Sequence, residues 1–128
     1  MYANDDWDGD TTTSEYMRES FEPLLRDYKV AIGFYGHQHS YGRTCPVYDG
    51  ECKEEGQGTV HLVVGMAGYS LTKIIHSMEY MEYQNNTKYG FVHLTIHNES
   101  VLSGKFVDAM SNGEDILDAF VIQNPYHG

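Results

Sequence analysis

The chain has 128 residues, of which 41% are hydrophobic and eleven are tyrosine, so it can bury the core of one domain or of part of a larger one. Its net charge of −11 argues against nucleic acid or an anionic membrane as a partner, because both require a basic face. No apolar run is long enough to predict a membrane span, and the opening residues lack the pattern of a signal peptide.

A helix is predicted near the start of the chain. The acidic, turn-rich residues 3–13 predict a solvated loop, and Ser14 suits the cap of the helix that follows. Because Pro23 lacks a backbone donor, we expect the helix to kink or restart near Glu22. The apolar residues at helical spacing predict one face that packs against a sheet. They are Met17, Phe21, Leu24, Leu25 and Tyr28.

An apolar run, residues 30–35, follows this helix and predicts a strand buried on both faces of an α/β sheet. Residues 40–58 are rich in Gly, Glu and Lys and predict a long loop. The rest of the chain predicts a β-rich meander. Residues 70–88 are ambiguous, with a short helix as one alternative, and the tail from Gln123 is expected to be loose. The later strands are predicted at residues 59–64, 91–96, 102–107 and 116–122.

Two histidines, His37 and His39, come directly after the strand at residues 30–35. Side chains two positions apart in an extended segment leave on the same side of the backbone. Imidazole is a common ligand for zinc, iron and copper, and a hydrolase with two metal ions can take one ligand from each residue. Gly36 is expected to let the backbone turn tightly here. The alternative is that both histidines are ordinary polar loop residues.

The residues around this pair resemble the last metal-binding block of the purple acid phosphatases, a branch of the dinuclear metallophosphoesterases. Later segments and the opening Met1-Tyr2-Ala3-Asn4 also resemble the family, so the resemblance covers nearly the whole chain. The segments that carry it are Tyr28-Lys29-Val30, Gly36-His37-Gln38-His39-Ser40-Tyr41-Gly42-Arg43-Thr44-Cys45-Pro46-Val47-Tyr48, Val64-Gly65-Met66-Ala67-Gly68, Tyr89-Gly90-Phe91-Val92-His93-Leu94-Thr95-Ile96 and Asp118-x-Phe120-x-Ile122.

The resemblance implies the C-terminal half of a metallophosphoesterase α/β sandwich, of which residues 1–56 form the last metal-binding block and residues 57–124 a β-rich segment. It implies hydrolysis of phosphate monoesters in acid by Fe(III) paired with a divalent Fe, Zn or Mn ion. By position, His37 corresponds to a ligand of the divalent ion and His39 to a ligand of the trivalent one. Each ring is expected to donate its other N–H to a neighbouring acceptor.

The family's remaining motifs, including Gly-Asn-His-Glu, do not occur in the chain. The family binds its two ions through two Asp, one Tyr, one Asn and three His, and only two of these ligands are present here. We therefore expect the isolated chain to hydrolyse no phosphate ester, and we assign it no catalytic residue beyond the metal ligands. Gly42 stands where the family more often has Glu, and Tyr69-Ser70 where Asn is usual.

Two alternatives to the phosphatase stay open. The chain could be a truncated or degenerate remnant that serves in binding or assembly, in which case a homodimer or another partner chain would cover exposed apolar strands. It could also be a small zinc module that uses His37, His39 and either Cys45 or Cys52. Thiol titration tests the zinc module, because a disulfide between the cysteines removes the sulfur ligands.

Cys45 and Cys52 flank the turn signal Asp49-Gly50, and the choice between a disulfide and two free thiols is open from the sequence. Closing this short loop would stabilise the fold by about 2.5 kcal/mol. Asn85 and Asn98 begin N-x-Ser/Thr sequons. Together with the family resemblance, these features predict that the full-length protein is secreted, lysosomal or vacuolar.

Arg43 has two interpretations: a donor that supports the metal site from behind, or a structural salt bridge. Of the other histidines, His61 and His93 lie in predicted strands and are expected to be hydrogen-bonded structural residues. His93 and His97 are four apart, which is the spacing of a helical zinc pair, but a strand places them about 13 Å apart. The chain has no motif for a serine or cysteine nucleophile and no phosphate-binding P-loop.

Overall fold

A computed structural model describes Tyr2, residues 8–74 and residues 77–126, with the backbone alone for residues 8–10. The helix α1 spans Asp8–Asp27. It begins before the predicted cap Ser14, so the predicted loop is wrong over residues 8–13, and residues 3–7 lie outside the described part. Pro23 lies inside α1 without dividing it, because the proline removes only its own backbone donor.

The predicted apolar face of α1 is mostly solvent-exposed in the described structure. Phe21 and Leu24 are 52% and 50% exposed, and Tyr28 is 77% exposed. The helix instead buries Glu22, whose carboxylate accepts a hydrogen bond from the hydroxyl of the buried Tyr2. The predicted packing of this stripe against a sheet is therefore wrong for the described part of the chain.

The first sheet contains five strands. They are β1 (Ile32–Tyr35), β2 (Tyr41–Tyr48), β3 (Glu51–Cys52), β4 (Thr59–Val64) and β5 (Met81–Asn85). Their order is β1-β4-β2-β3, and β5 also pairs with β2. β1 runs parallel to β4, and the other pairings are antiparallel. The predicted strand after the helix is present, but it is an edge strand of the described sheet with Phe34 49% exposed, so the prediction that both faces are buried is wrong.

The predicted loop at residues 40–58 is wrong over residues 41–52, because β2 and β3 form a hairpin there and β2 lies in the middle of the first sheet with most of its residues buried. Residues 53–58 form a loop, as predicted. Gly42 and Pro46 give β2 the composition of a loop. The pairing of β2 with β4 shifts register between Arg43 and Pro46, and such an irregularity is where a strand tolerates proline. The turn signal Asp49-Gly50 is confirmed: both residues have positive φ and join β2 to β3 in a two-residue hairpin.

The second sheet has three antiparallel strands in the order β6-β7-β8. They are β6 (Gly90–Ile96), β7 (Val101–Asp108) and β8 (Ile116–Gln123). These strands confirm the predicted hairpin and the predicted last strand. The tail is not loose up to Tyr126, because Asn124 donates from its backbone to Ser100 and from its side chain to the carbonyl of Lys29. In the ambiguous segment at residues 70–88, the described residues form no helix. Ile75 and His76 lie outside the described residues.

The core lies between the two sheets. Tyr41 of β2 and Phe106 of β7 are fully buried, and their rings stack with centroids 4.2 Å apart. Leu62 of β4 and Phe120 of β8 belong to the same buried cluster. The mixed α/β architecture is therefore confirmed: the described residues contain one α-helix, a short 3-10 helix at Ala109–Ser111 and two sheets. No helix in that part of the chain has the length and apolar character needed to cross a membrane.

Candidate metal-ligand site

The ligand loop, residues 36–40, leaves the carboxyl end of β1 and leads into β2. Its strained residue is His37, which has φ of 71°, and the backbone N–H of Gln38 donates to the carbonyl of Gly36 across it. A positive φ is uncommon outside glycine and is often found at functional sites. Gly36 itself does not have positive φ, and a Cβ there would meet no atom within 4 Å. The expectation that Gly36 permits the turn is wrong, and His37 takes the strained conformation.

Burial alternates along the ligand loop. Gln38 and Ser40 are buried, with 7% and 3% exposure, whereas His37 is exposed and His39 is half-buried. Neither imidazole lies in the hydrocarbon interior. The loop therefore anchors itself through its even-numbered side chains and leaves the two imidazoles on the accessible side.

His39 is held by backbone and side-chain contacts from the segment that follows β4. Its backbone N–H donates to the hydroxyl of Thr72 over 2.9 Å, and its carbonyl accepts from the N–H of Thr72, also over 2.9 Å. Its ring nitrogen Nδ1 lies 2.8 Å from the hydroxyl of Ser70. The ring of Tyr69, which is 90% exposed, packs edge-on with its centroid 5.6 Å from that of His39. Because Nδ1 is engaged, Nε2 is the nitrogen of His39 that is suited to bind a metal.

Parallel pairing explains why these residues meet. β1 and β4 end at the same edge of the first sheet, so the loop after β4 lies beside the ligand loop. Gly65 makes the closest approach: its N–H donates to the carbonyl of Ser40, and a Cβ at Gly65 would lie only 1.8 Å from the carbonyl oxygen of Gln38. Gly65 is therefore the glycine that the ligand loop requires, because any side chain would displace the loop.

The described residues fit part of a metal site. His37 and His39 have suitable chemistry and accessibility, but in the described ranges no three His, Cys, Asp or Glu residues group closely enough to hold an ion. Two imidazoles are too few ligands for two ions. The described residues therefore supply at most two of the ligands that a dinuclear site requires.

The side chain of Arg43 is mostly buried and links the two sheets. Its guanidinium donates to both carboxylate oxygens of Asp118, over 2.8 and 3.0 Å, and also to Glu82. The hydroxyl of Tyr41 donates to the same Asp118 over 2.7 Å. Burial acts to raise the pKa of Asp118, but the hydrogen bonds from Arg43 and Tyr41 outweigh it and lower the pKa. Arg43 therefore forms a structural ion pair between β2 and β8, which favours the second of its two interpretations from the sequence.

Cys45 and Cys52 form a disulfide that joins β2 to β3. Cys45 is buried beside Val47 and Tyr2 in a small apolar cluster. The disulfide leaves neither sulfur as a thiolate, so the alternative of a zinc module with a cysteine ligand loses its third ligand.

His61 is a buried structural residue, as its sequence context predicts. It is 2% exposed, and its Nδ1 lies 2.9 Å from the hydroxyl of Tyr35. Burial lowers the pKa of His61 to about 3, so the ring is neutral except in strong acid. His97 bonds to Ser103 and directly follows β6. His76 and His127 lie outside the described residues.

The two sequon asparagines have different settings. Asn98 is exposed in the turn between β6 and β7, where its side-chain oxygen accepts from the backbone of Ser100 and Val101. Asn85 is half-buried at the end of β5, and its oxygen caps the turn through Thr87 and Lys88. Asn98 is thus the more accessible of the two.

Comparison with known proteins shows what the chain is similar to. The family model described as iron/zinc purple acid phosphatase-like protein C matches residues 58–119. A protein named probable inactive purple acid phosphatase 27, from Arabidopsis thaliana, is 36% identical over 98% of this chain. A nucleotide pyrophosphatase/phosphodiesterase from Hordeum vulgare is 30% identical over 98% of this chain. The chain spans 22% of the length of the first of these relatives and 36% of the second.

Among solved structures, the purple acid phosphatase PPD1 from yellow lupin seeds superposes with a TM-score of 0.75 at 29% identity. The match covers 96% of this chain and 23% of the lupin chain. The resemblance noted in the sequence is therefore confirmed by sequence and by fold. Sequence reasoning missed Thr72, which has no motif to mark it, and noted Ser70 only as a departure from the family's usual Asn.

Proposed function

Because this chain belongs to the purple acid phosphatase family and corresponds to its C-terminal part, we propose that it supplies His37 and His39 to the dinuclear metal centre of a longer phosphoesterase. One observation carries the proposal: Ser70 engages Nδ1 of His39, so Nε2 is the ring nitrogen that is left to bind a metal. A metal-binding imidazole is commonly oriented in this way. The substrate would be a phosphate monoester, whose negative charge the acidic chain cannot offset with its own net charge of −11.

The proposed roles follow the family positions. His37 would bind the divalent ion, Fe, Zn or Mn, and His39 would bind Fe(III). When bound, the two ions would offset the charge of the phosphate and activate a water molecule. This chain's own contribution is to orient two imidazoles: Thr72 fixes the backbone of His39, Ser70 fixes its ring, and Gly65 allows the ligand loop to approach β4.

The proposal predicts that the 128-residue chain alone is inactive. After loading with iron and zinc, the chain should hydrolyse no p-nitrophenyl phosphate above the rate of a His39→Ala variant, because the described residues offer too few ligands. Turnover that depends on iron and disappears in His39→Ala would contradict this prediction, since it would show that the chain builds a complete site by itself.

A second candidate function is non-catalytic assembly. It is favoured by the exposed apolar side chains on α1 and β1, and the Arabidopsis relative is itself named probable inactive. The occupant we propose is a second copy of the chain, which would cover Phe21, Leu24 and Phe34. Light scattering should then give twice the chain's 14.6 kDa, and a Phe34→Glu variant should restore the monomer mass. A wild-type monomer would contradict the assembly.

We also propose that the full-length protein is secreted, lysosomal or vacuolar. The Cys45–Cys52 disulfide supports this assignment because disulfides persist in oxidising compartments. Expression in a secretory host should give a glycan at Asn98, with Asn85 occupied less, because Asn98 is exposed and Asn85 is half-buried. Mass spectrometry after enzymatic deglycosylation reads both sites, and a glycan at Asn85 alone would contradict the expected order.

A further inference from the structure

Three buried nitrogen atoms have no hydrogen-bond partner among the described residues. They are Nε2 of Gln38, Nε2 of His61 and Nε2 of Gln84. A buried polar atom left without a partner destabilises the folded state, so such atoms in folded proteins commonly bond to ordered water. Three of them in one small chain require an explanation.

All three residues line the same cavity. It lies between the ligand loop, β4 and β5, and it leaves about 10 Å³ for the centre of a water-sized sphere. A single water molecule needs roughly 10–15 Å³ by this measure, together with two to four polar partners. The cavity meets both conditions for one water molecule and is too small for a larger ligand.

The charge of the cavity also points to a neutral occupant. Gln38 and Gln84 carry no charge, and the ring of His61 is neutral because burial lowers its pKa. Among the described residues, the other polar side chains that line the cavity end in hydroxyl groups; they are Tyr2, Tyr35, Ser40, Tyr41 and Thr44. An ion would have no opposite charge among them to offset its desolvation.

We propose that this cavity is a binding site for one structural water molecule. The water accepts hydrogen bonds from the amide groups of Gln38 and Gln84 and donates one to Nε2 of His61. A water molecule has two acceptor positions, and the two amides occupy both. Nε2 of His61 therefore has to act as an acceptor, which places the ring proton on Nδ1, from which it donates to the hydroxyl of Tyr35, 2.9 Å away.

Because of the position of Gln38, this water would help to hold the ligand loop in place. Gln38 is the residue between His37 and His39, and it anchors the ligand loop from its buried side. The water would link Gln38 to His61 of β4 and to Gln84 of β5. The Nε2 atoms of these three residues form no direct hydrogen bond with one another. The water site stands apart from metal binding, because it needs only the described residues of this chain.

NMR of the intact 128-residue chain tests the site directly. Rotating-frame experiments should show cross-peaks between water and the side-chain amide protons of both Gln38 and Gln84. Long-range ¹H–¹⁵N spectra should show His61 as the tautomer protonated at Nδ1. The absence of both water cross-peaks, a tautomer protonated at Nε2, or a crystal structure in which Gln38 and Gln84 bond to each other would each overturn the proposal.

A matched pair of variants tests the consequence for the ligand loop. Gln84→Met removes one partner at similar side-chain length and should abolish the water cross-peak of Gln38 and speed hydrogen exchange at the amide of His39 about tenfold. Gln57→Met makes the same change at an exposed glutamine and should alter neither. An unchanged cross-peak and unchanged exchange in Gln84→Met would overturn the proposal. If that variant does not fold, the wild-type cross-peaks and tautomer decide.

Discussion

Gly65 and the carbonyl oxygen of Gln38 are so close that a Cβ at Gly65 would lie 1.8 Å from that oxygen. A Gly65→Ala substitution must therefore push the ligand loop away from β4. We expect it to destabilise the chain by about 1–3 kcal/mol and to break the hydrogen bond from Gly65 to Ser40. Denaturant unfolding and hydrogen exchange at residue 65 measure both effects.

Gly36→Ala is the matched control, since a Cβ at Gly36 meets nothing within 4 Å and its φ is not positive. It should leave stability almost unchanged. If Gly36→Ala were the more disruptive of the two variants, the assignment of the required glycine to position 65 would be wrong.

Arg43 should prove to be a structural residue. Arg43→Met leaves the buried carboxylate of Asp118 without its ion-pair partner, so we expect a loss of about 3 kcal/mol in the free energy of unfolding. The affinity of His37 and His39 for zinc should not change.

Lys53→Met provides the comparison, because the pair of Lys53 with Glu51 lies at the surface, where Glu51 is 75% exposed. Removal of this pair should cause no measurable change in stability. A stable Arg43→Met variant with weakened zinc binding would instead restore Arg43 as a support of the metal site.

The sequence predicted the elements whose signals are local. The hairpin around Asn98 and the strand at residues 59–64 follow from alternation and turn residues within a few positions. The motif His37-x-His39 was found because its two histidines are neighbours in the chain. The sequence failed at β2, where Gly42 and Pro46 give a buried central strand the composition of a loop, and at the start of α1, where no apolar periodicity marks the first turns.

The contacts that shape the candidate site could not be predicted from the sequence. Ser70 and Thr72 lie 31 and 33 residues from His39, and they meet it only because β1 and β4 end at the same sheet edge. Arg43 and Asp118 are 75 residues apart, so their pairing depends on how the two sheets pack. Local patterns contain no information on either arrangement.

The hydroxyl of Ser70 should control the metal affinity of His39. Ser70→Ala removes the group that orients the ring, and we expect zinc binding to weaken about tenfold. Isothermal titration calorimetry measures the change.

Ser103→Ala is the matched control, because Ser103 makes the equivalent contact with His97, over 2.8 Å, outside the ligand loop. Its zinc affinity should equal that of the wild type. Equal zinc affinities in the wild type, Ser70→Ala and Ser103→Ala would show that Ser70 does not orient His39 for metal binding.

Burial of His61 should make the chain less stable in acid. The unfolded chain takes up a proton on this ring near pH 6.5, whereas the folded chain does so only near pH 3. Between these values the unfolded state binds more protons, so the stability that is present above pH 6.5 is lost as the pH falls, by up to about 1.4 kcal/mol per pH unit.

Urea unfolding at several pH values measures this slope. A His61→Phe variant should have a shallower slope by up to about one proton in this pH range. Equal slopes in wild type and His61→Phe would show that another group carries the acid sensitivity.

The central claim is that His37 and His39 together form one part of a metal site, and zinc titration followed by the imidazole resonances tests it most directly. We predict that the signals of His37 and His39 shift together, with Nε2 of His39 as the bound nitrogen, while His61 and His93 stay unchanged. Two ligands should give weak binding that does not saturate at micromolar zinc. Zinc that shifts other histidines, or that leaves His37 and His39 unperturbed, would contradict the account.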